Sequence, residues 1–214
     1  MEFQDVVRRR RMVRSFTDEP VAPEHVDRLL SNAVRAPSAG FTQGWSFLVL
    51  EAPQDRERFW AAASPASSSR DMSAWRAGMG RAPLIVVPMA SKAAYLGRYA
   101  EPDKAGAGLA SPGAWTPEDE ARWPVPYWHV DAGMASLLIL QTAVDLGLGA
   151  CFFGIGAAER PAFHEAFGVP AAWEPTGAIA VGHRADPGEG AAGSPSRRRR
   201  RPLDEVVHRG RFGA

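Results

Sequence analysis

The sequence predicts an α/β or α+β fold on a mixed sheet, and three observations carry that prediction. Helical and strand-like segments alternate loosely along the chain. Three short apolar runs, 45–50, 82–87 and 150–155, are bounded by turn residues and read as buried strands. The chain has 214 residues, 45% hydrophobic and 23% charged, which suits one globular domain that buries a core without disulfides or structural metals.

The elements follow in order. Residues 3–11 read as a helix ending in four arginines. Pro23 opens a second helix, where Val26, Leu29, Leu30 and Ala33 recur at helical spacing. The turn-rich stretch 36–40 ends it, and the strand WSFLVL follows between Gly44 and Pro53. Residues 55–62 read as helix, the Ser-rich 64–69 as loop, and 72–79 as a short helix before the strand at 82–87. Residues 99–128, rich in Pro, Gly and Trp without a period, read as a lid or excursion. A long buried helix is expected over 131–146, stopping at Gly147, with the strand 150–155 after it. Helix 160–167 and strand 176–182 complete the domain, taken as 1–184. A Gly/Ala/Pro-rich linker, 185–196, leads to a basic extension, 197–214, that belongs to the same domain.

Composition excludes several classes. A net charge of +1 argues against a dedicated nucleic-acid binder. The single cysteine, Cys151, rules out a disulfide or cysteine-zinc framework within the chain. It fits a reducing compartment, and with a charged N-terminus lacking a secretory apolar stretch it leads to a cytoplasmic expectation. The most apolar segment, 132–155, is interrupted by Gln141, Asp145 and four glycines, so it reads as core and no membrane association is expected. The five histidines show no ligand spacing, and no metal site is expected.

Five constellations remain. In RRRMVRSF (9–16), Arg10, Arg11 and Arg14 offer planar donor forks suited to phosphate and to an anionic ring, or simply a solvated basic face. In APSAGFTQGWSF (36–47), Ser38 and Gln43 can address a flat polar heterocycle, or serve ordinary turn chemistry. GLGACFFGIG (147–156) does not fit a dinucleotide fingerprint, but Gly154 and Gly156 permit close backbone approach. Cys151 within it reads as packing. The arginines at 197–201 form a phosphate site, a nucleic-acid patch or a solvated tail. His129 and Asp131 in YWHVD are too few for a metal, and no GxSxG motif supports a serine hydrolase.

Taken in order, the four glycine- and arginine-bearing motifs resemble those of the FMN-dependent nitroreductase superfamily. RRRMVRSF is similar to its RRSxRxF, APSAGFTQGWSFLVL to its APSxxNxQPWxFxV, and 127–154 to its central helix ending in GLGxC. GHRA with RRRRRPLDEVVH is similar to its closing GYP and RxPLxEVV. The resemblance spans about residue 5 to residue 210. It implies an α+β homodimer, a mixed central sheet flanked by helices, and a C-terminal extension that reaches the partner subunit. It implies FMN at the subunit interface.

Carried over by position, Arg10 and Arg11 match the phosphate-contacting pair, and Arg14 the catalytic cation near the flavin N1/O2 edge. Ser38 and Gln43 match residues lying along the flavin, Phe153 and Gly154 the backbone facing N5, and Arg200 and Arg201 a returning phosphate pair. The activity implied is an NAD(P)H-dependent oxidoreductase working ping-pong on an electron-poor small molecule, nitroaromatic or quinone-like. NADH and NADPH are both open as reductant. Phe41, Tyr99 and Trp123 are expected to line the substrate space, with Tyr99, Glu101 and Lys104 thinly similar to the lid of dehalogenating relatives. Three positions depart from the pattern: Met12 replaces a serine, Phe41 an asparagine and Gly44 a proline. These departures sustain an alternative, a flavin- or deazaflavin-binding protein without efficient turnover.

Overall fold

A computed structural model describes residues 1–63, 72–104, 121–185 and 198–213. Its core is a sheet in the order β1-β2-β5-β3, where β1 is Trp45–Leu50, β2 Leu84–Ala90, β3 Gly149–Phe153 and β5 Ala178–Gly182. A two-residue strand, β4 (Glu174–Pro175), pairs with the end of β2. All strand ladders are antiparallel, with Trp45 opposite Ala90, Leu84 opposite Val181 and Gly149 opposite Gly182. Among the described residues the mixed character expected of the sheet is confined to one parallel bridge, Met12 to Ala150.

The alternation of side chains along a strand decides the layers. Ile85, Val87 and Met89 of β2 face one apolar cluster, with Phe16, Phe59, Trp60, Met79, Cys151 and Phe163. Leu84 and Val86 face the other, with Val26, Leu29, Ile139, Leu140, Ile179 and Val181. The first face is covered by α3 (Pro53–Ala63), α4 (Ser73–Gly80) and α7 (Arg160–Phe167). The second is covered by α2 (Pro23–Ala33) and the long helix α6 (Tyr127–Asp145). Every residue of β2 is buried, which is why its sequence is a continuous apolar run.

Three differences from the sequence reading bear on the site. Helix α1 (Phe3–Arg9) ends at Arg10, so residues 10–16 are not helical: Met12 bridges Ala150 of β3 and Phe16 bridges Arg184. A helix without a sequence signal, α5 (Lys92–Tyr99), follows β2, its start fixed by Ser91 Oγ accepting from the Ala94 N–H at 3.0 Å. Helix α6 begins four residues before the expected start and is not buried all round. Asp131, Ala135, Ile139, Leu140 and Ala143 face inward, while Val130 and Leu137 are exposed. The loop expected at 64–69, most of the excursion 99–128 and the linker 185–196 lie largely outside the described residues. Of the linker, Ala185 is described, its N–H donating to Ser15 O at 3.2 Å.

Candidate active site

The basic segment is built onto the edge strand β3. Val13 N–H donates to Ala150 O at 2.9 Å beside the Met12 bridge, and the Phe152 N–H reaches Met12 Sδ at 3.5 Å. The thioether at position 12 therefore occupies itself with the strand. Arg14 is half-buried and its Nη1 donates to Met12 O at 3.0 Å. Gly78 of α4 packs so closely on the Arg14 carbonyl that a Cβ there would collide with it, so that helix fixes the Arg14 backbone. Burial raises the Cys151 thiol above its ordinary range, with Arg14 pulling weakly the other way. It stays a protonated packing group at neutral pH, as its sequence context implies.

Arg11 is exposed, and its Nη1 donates to the carbonyls of Arg8 and Arg10 at 2.6 and 2.9 Å. Arg9, Arg11 and Arg184 line a small cleft of about 90 Å³ against Val13, Leu148 and Gly149. Arg10 is half-buried beside it rather than among its lining residues. Among the described residues, Arg10, Arg11, Arg14 and Arg184 have no carboxylate partner, whereas Arg8 is paired with Asp5. A cleft ringed by uncompensated guanidinium groups is matched to an oxyanion, so the donor set fits the phosphate of FMN. Arg9 and Arg184 are additions that charge-run reasoning did not isolate. Arg184 lies in the GHRA motif and is brought over by the Phe16–Arg184 bridge.

At the end of β3 the Phe153 ring turns into the core. It stacks on Trp60 at 5.5 Å and 7°, with Phe59 and Trp75 edge-on. Its ring is engaged in this packing, which leaves the backbone the better placed part to address a ligand. Gly154 is exposed, with nothing within 4 Å of where a Cβ would stand.

The second motif forms a tight turn at the opposite edge. Gly40, Phe41 and Gln43 have φ of 61°, 55° and 51°, in the left-handed region that non-glycine residues seldom enter. Ser38 Oγ accepts from the Gln43 N–H at 3.0 Å, and Phe41 projects with 74% of its surface exposed. Behind the turn stands an aromatic group: Tyr99 lies 4.7 Å from Trp123 and 5.3 Å from Tyr95, ring centre to ring centre. Among the described residues Trp123 Nε1 is buried without a hydrogen-bond partner. Asp131, 3% exposed, accepts from the Ala39 N–H at 3.2 Å, and burial raises its carboxyl above the ordinary range.

The strand order places these two groups apart. The turn feeds β1 and the basic segment lies on β3, at opposite edges separated by three strand spacings, about 14 Å. One chain thus gathers Arg10, Arg11, Arg14, Phe153 and Gly154 on one side, and Ser38, Phe41, Gln43, Tyr99 and Trp123 on the other. Among the described residues the tail joins neither group. Arg200 is exposed, and Arg201 bonds within the tail, Nε to Glu205 Oε2 at 3.0 Å and Nη2 to Glu205 O at 2.8 Å. Among the described residues no cluster of three or more His, Cys, Asp and Glu could hold a metal, and no helix is long and apolar enough to cross a membrane.

Comparison with known proteins identifies the fold and the family. NfrA2 of B. megaterium superposes with a TM-score of 0.71 at 23% identity, over 99% of this chain and 75% of that one. A candidate nitroreductase from Exiguobacterium sibiricum, solved in complex with FMN, superposes with a TM-score of 0.68 at 18% identity over 97% of both chains. At such identities the likeness establishes the fold. In sequence, a candidate NADH dehydrogenase/NAD(P)H nitroreductase from Archaeoglobus fulgidus is 26% identical over 163 residues, 75% of this chain and 73% of that protein. Rat iodotyrosine deiodinase 1 is 33% identical over 57 residues only, 27% of this chain and 20% of that protein. The nitroreductase family profile matches residues 7–183, and the chain belongs to the nitroreductase family.

Proposed function

We propose that two copies of this chain hold FMN between them and pass hydride from NADH or NADPH to an electron-poor small molecule, nitroaromatic or quinone-like. The observation that carries the reading is the split site: uncompensated arginines stand at the β3 edge, and the strained turn stands at the β1 edge. A ligand touching both sets is accommodated when the turn of one copy meets the arginines of the other.

FMN, when bound, supplies the hydride-accepting and hydride-donating chemistry. Arg10 and Arg11, with Arg9 and Arg184, hold its phosphate. Arg14 sets a fixed cation at the pyrimidine edge of the ring, where reduction builds negative charge. Ser38 and Gln43 lie along the ring, and the backbone of Phe153 and Gly154 faces its reactive nitrogen. Phe41, Tyr99 and Trp123 shape the space for a flat acceptor. The tail carries Arg200 and Arg201 across to the partner. Its Leu203 (76%) and Phe212 (89%) are uncovered in one chain, as expected of a segment that packs elsewhere. A buried, protonated Cys151 suits a reducing cytoplasmic setting.

The test begins with the visible spectrum of the purified protein and the chromophore released on denaturation. FMN near one per subunit, bleached rapidly by anaerobic NADH or NADPH, is expected. Failure to take up added FMN would overturn the reading. Bound flavin that neither nicotinamide bleaches favours the flavin- or deazaflavin-binding alternative, for which Met12 and Phe41 are the specific departures.

A further inference from the structure

The turn 38–43 is held by two side chains from distant parts of the chain, and one of them stands outside every motif. Arg98 of α5 donates from Nε to Gly40 O at 3.0 Å. Its own position is fixed from the other side. Nη1 and Nη2 form a fork to Asp103 Oδ1 and Oδ2, both at 2.7 Å, and Nη1 also reaches Glu101 Oε2 at 3.0 Å. The neighbouring Tyr99 lays its ring over Gly40, where a Cβ would stand only 2.9 Å from it. The carbonyl that Arg98 grips belongs to the first of the left-handed residues, directly before Phe41. A planar guanidinium presents Nε to the carbonyl and an Nη1/Nη2 fork to the carboxylate in one fixed geometry, which the flexible ammonium of lysine does not reproduce.

We propose that Arg98 is a positioning residue that fixes how the turn presents Phe41 and Gln43, and so sets the fit of an aromatic acceptor, with Asp103 orienting Arg98. This rests on the reading of the turn as facing flavin and substrate. Arg98 touches neither. Its leverage is on a backbone conformation that Phe41 and Gln43 would not hold unaided.

The experiment compares wild type with Arg98→Met, Arg98→Lys and Asp103→Asn by two readouts. The first is hydrogen exchange at the Phe41 and Gln43 amides, both bonded within the turn. The second is steady-state reduction of menadione. Arg98→Met is expected to speed exchange at both amides by about tenfold or more. It is expected to raise KM for menadione by about fivefold while kcat stays within about twofold. Arg98→Lys recovers only part of either effect. Asp103→Asn, which leaves the Gly40 contact in place, gives smaller shifts in the same direction and keeps the test alive should Arg98→Met fold poorly. Unchanged exchange in both Arg98→Met and Asp103→Asn overturns the positioning role. Faster exchange with an unchanged KM overturns the link to the acceptor and leaves a purely structural clamp. Wild type that takes up no FMN overturns the functional reading itself, and is seen before any variant is compared.

Discussion

Arg14 brings several constraints to one residue. Its backbone is pinned between the β3 edge and Gly78, its guanidinium is half-buried, and among the described residues no carboxylate neutralises it. A cation held this way is preorganised: it does not reorganise when charge appears beside it, and partial burial reduces the screening that water would impose. Replacing it with alanine should therefore stabilise oxidised relative to reduced flavin. We expect Arg14→Ala to shift the two-electron potential downward on the order of 30–60 mV, or about 1.4–2.8 kcal/mol. Arg14→Lys should retain part of the difference. Potentiometric titration with a reference dye decides it, and an unchanged potential would remove this role from Arg14. Met12 poses the reverse case, a departure absorbed by the protein. Its thioether takes up the Phe152 amide, so the side chain at this position is used by the sheet.

Among the elements, the turn and α6 act together through Asp131, a buried carboxylate whose acceptor oxygen holds the Ala39 N–H. Burial raises its pKa above the ordinary 3.8, so the native state binds the proton more tightly than the unfolded chain does. Stability is then greatest below 3.8 for this group and falls as pH rises from there through the native pKa, by at most about 1.4 kcal/mol per pH unit. Asp131→Asn keeps an acceptor for Ala39 and discards the buried charge. Urea unfolding between pH 4 and 7 should show that decline in wild type and a shallower one in the variant, with the variant no less stable at pH 7. Identical slopes would mean Asp131 carries no such cost. The same elements show what the sequence makes legible. Strands β2 and β3 are continuous apolar runs, β1 is one broken only at Ser46, and α2 announces itself by Pro23 and its inward stripe, so burial and punctuation reveal them. Helix α5 turns only Tyr95 and Leu96 fully inward across eight residues, too little for a period to register. The bracing of the turn stayed hidden for another reason. Asp131 lies 92 residues from Ala39 and Arg98 lies 58 from Gly40, and pairings of that range are products of the fold. The arginine segment and the turn could be named from local chemistry, whereas their placement at opposite sheet edges is set by strand order.

For the whole molecule, that separation and the uncovered surface of α6 lead to one consequence. Val130 and Leu137 lie seven residues apart, two turns along the same face, and are 43% and 44% exposed. Phe3 and Val7 of α1 and Val34 at the end of α2 add further exposed apolar side chains on neighbouring helices. A monomer rarely leaves such surface bare, and a second copy packed on it would also supply the missing half of the flavin site. Assembly and cofactor retention should then be lost together. Leu137→Glu places a charge on this face without touching either group of predicted flavin contacts, and its exposure leaves the fold of one chain little affected. We expect wild type to sediment as a dimer with FMN bound, and Leu137→Glu to sediment as a monomer with a native circular dichroism spectrum. Its affinity for added FMN should fall by about tenfold or more, because half of the contacts then belong to a subunit that is absent. A monomeric variant that binds FMN as tightly as wild type would show that one chain completes the site by itself. In that case the 14 Å between the sheet edges (about three strand spacings) is bridged within a subunit, and the tail, with Arg200 and Arg201, becomes the segment to test for closing it.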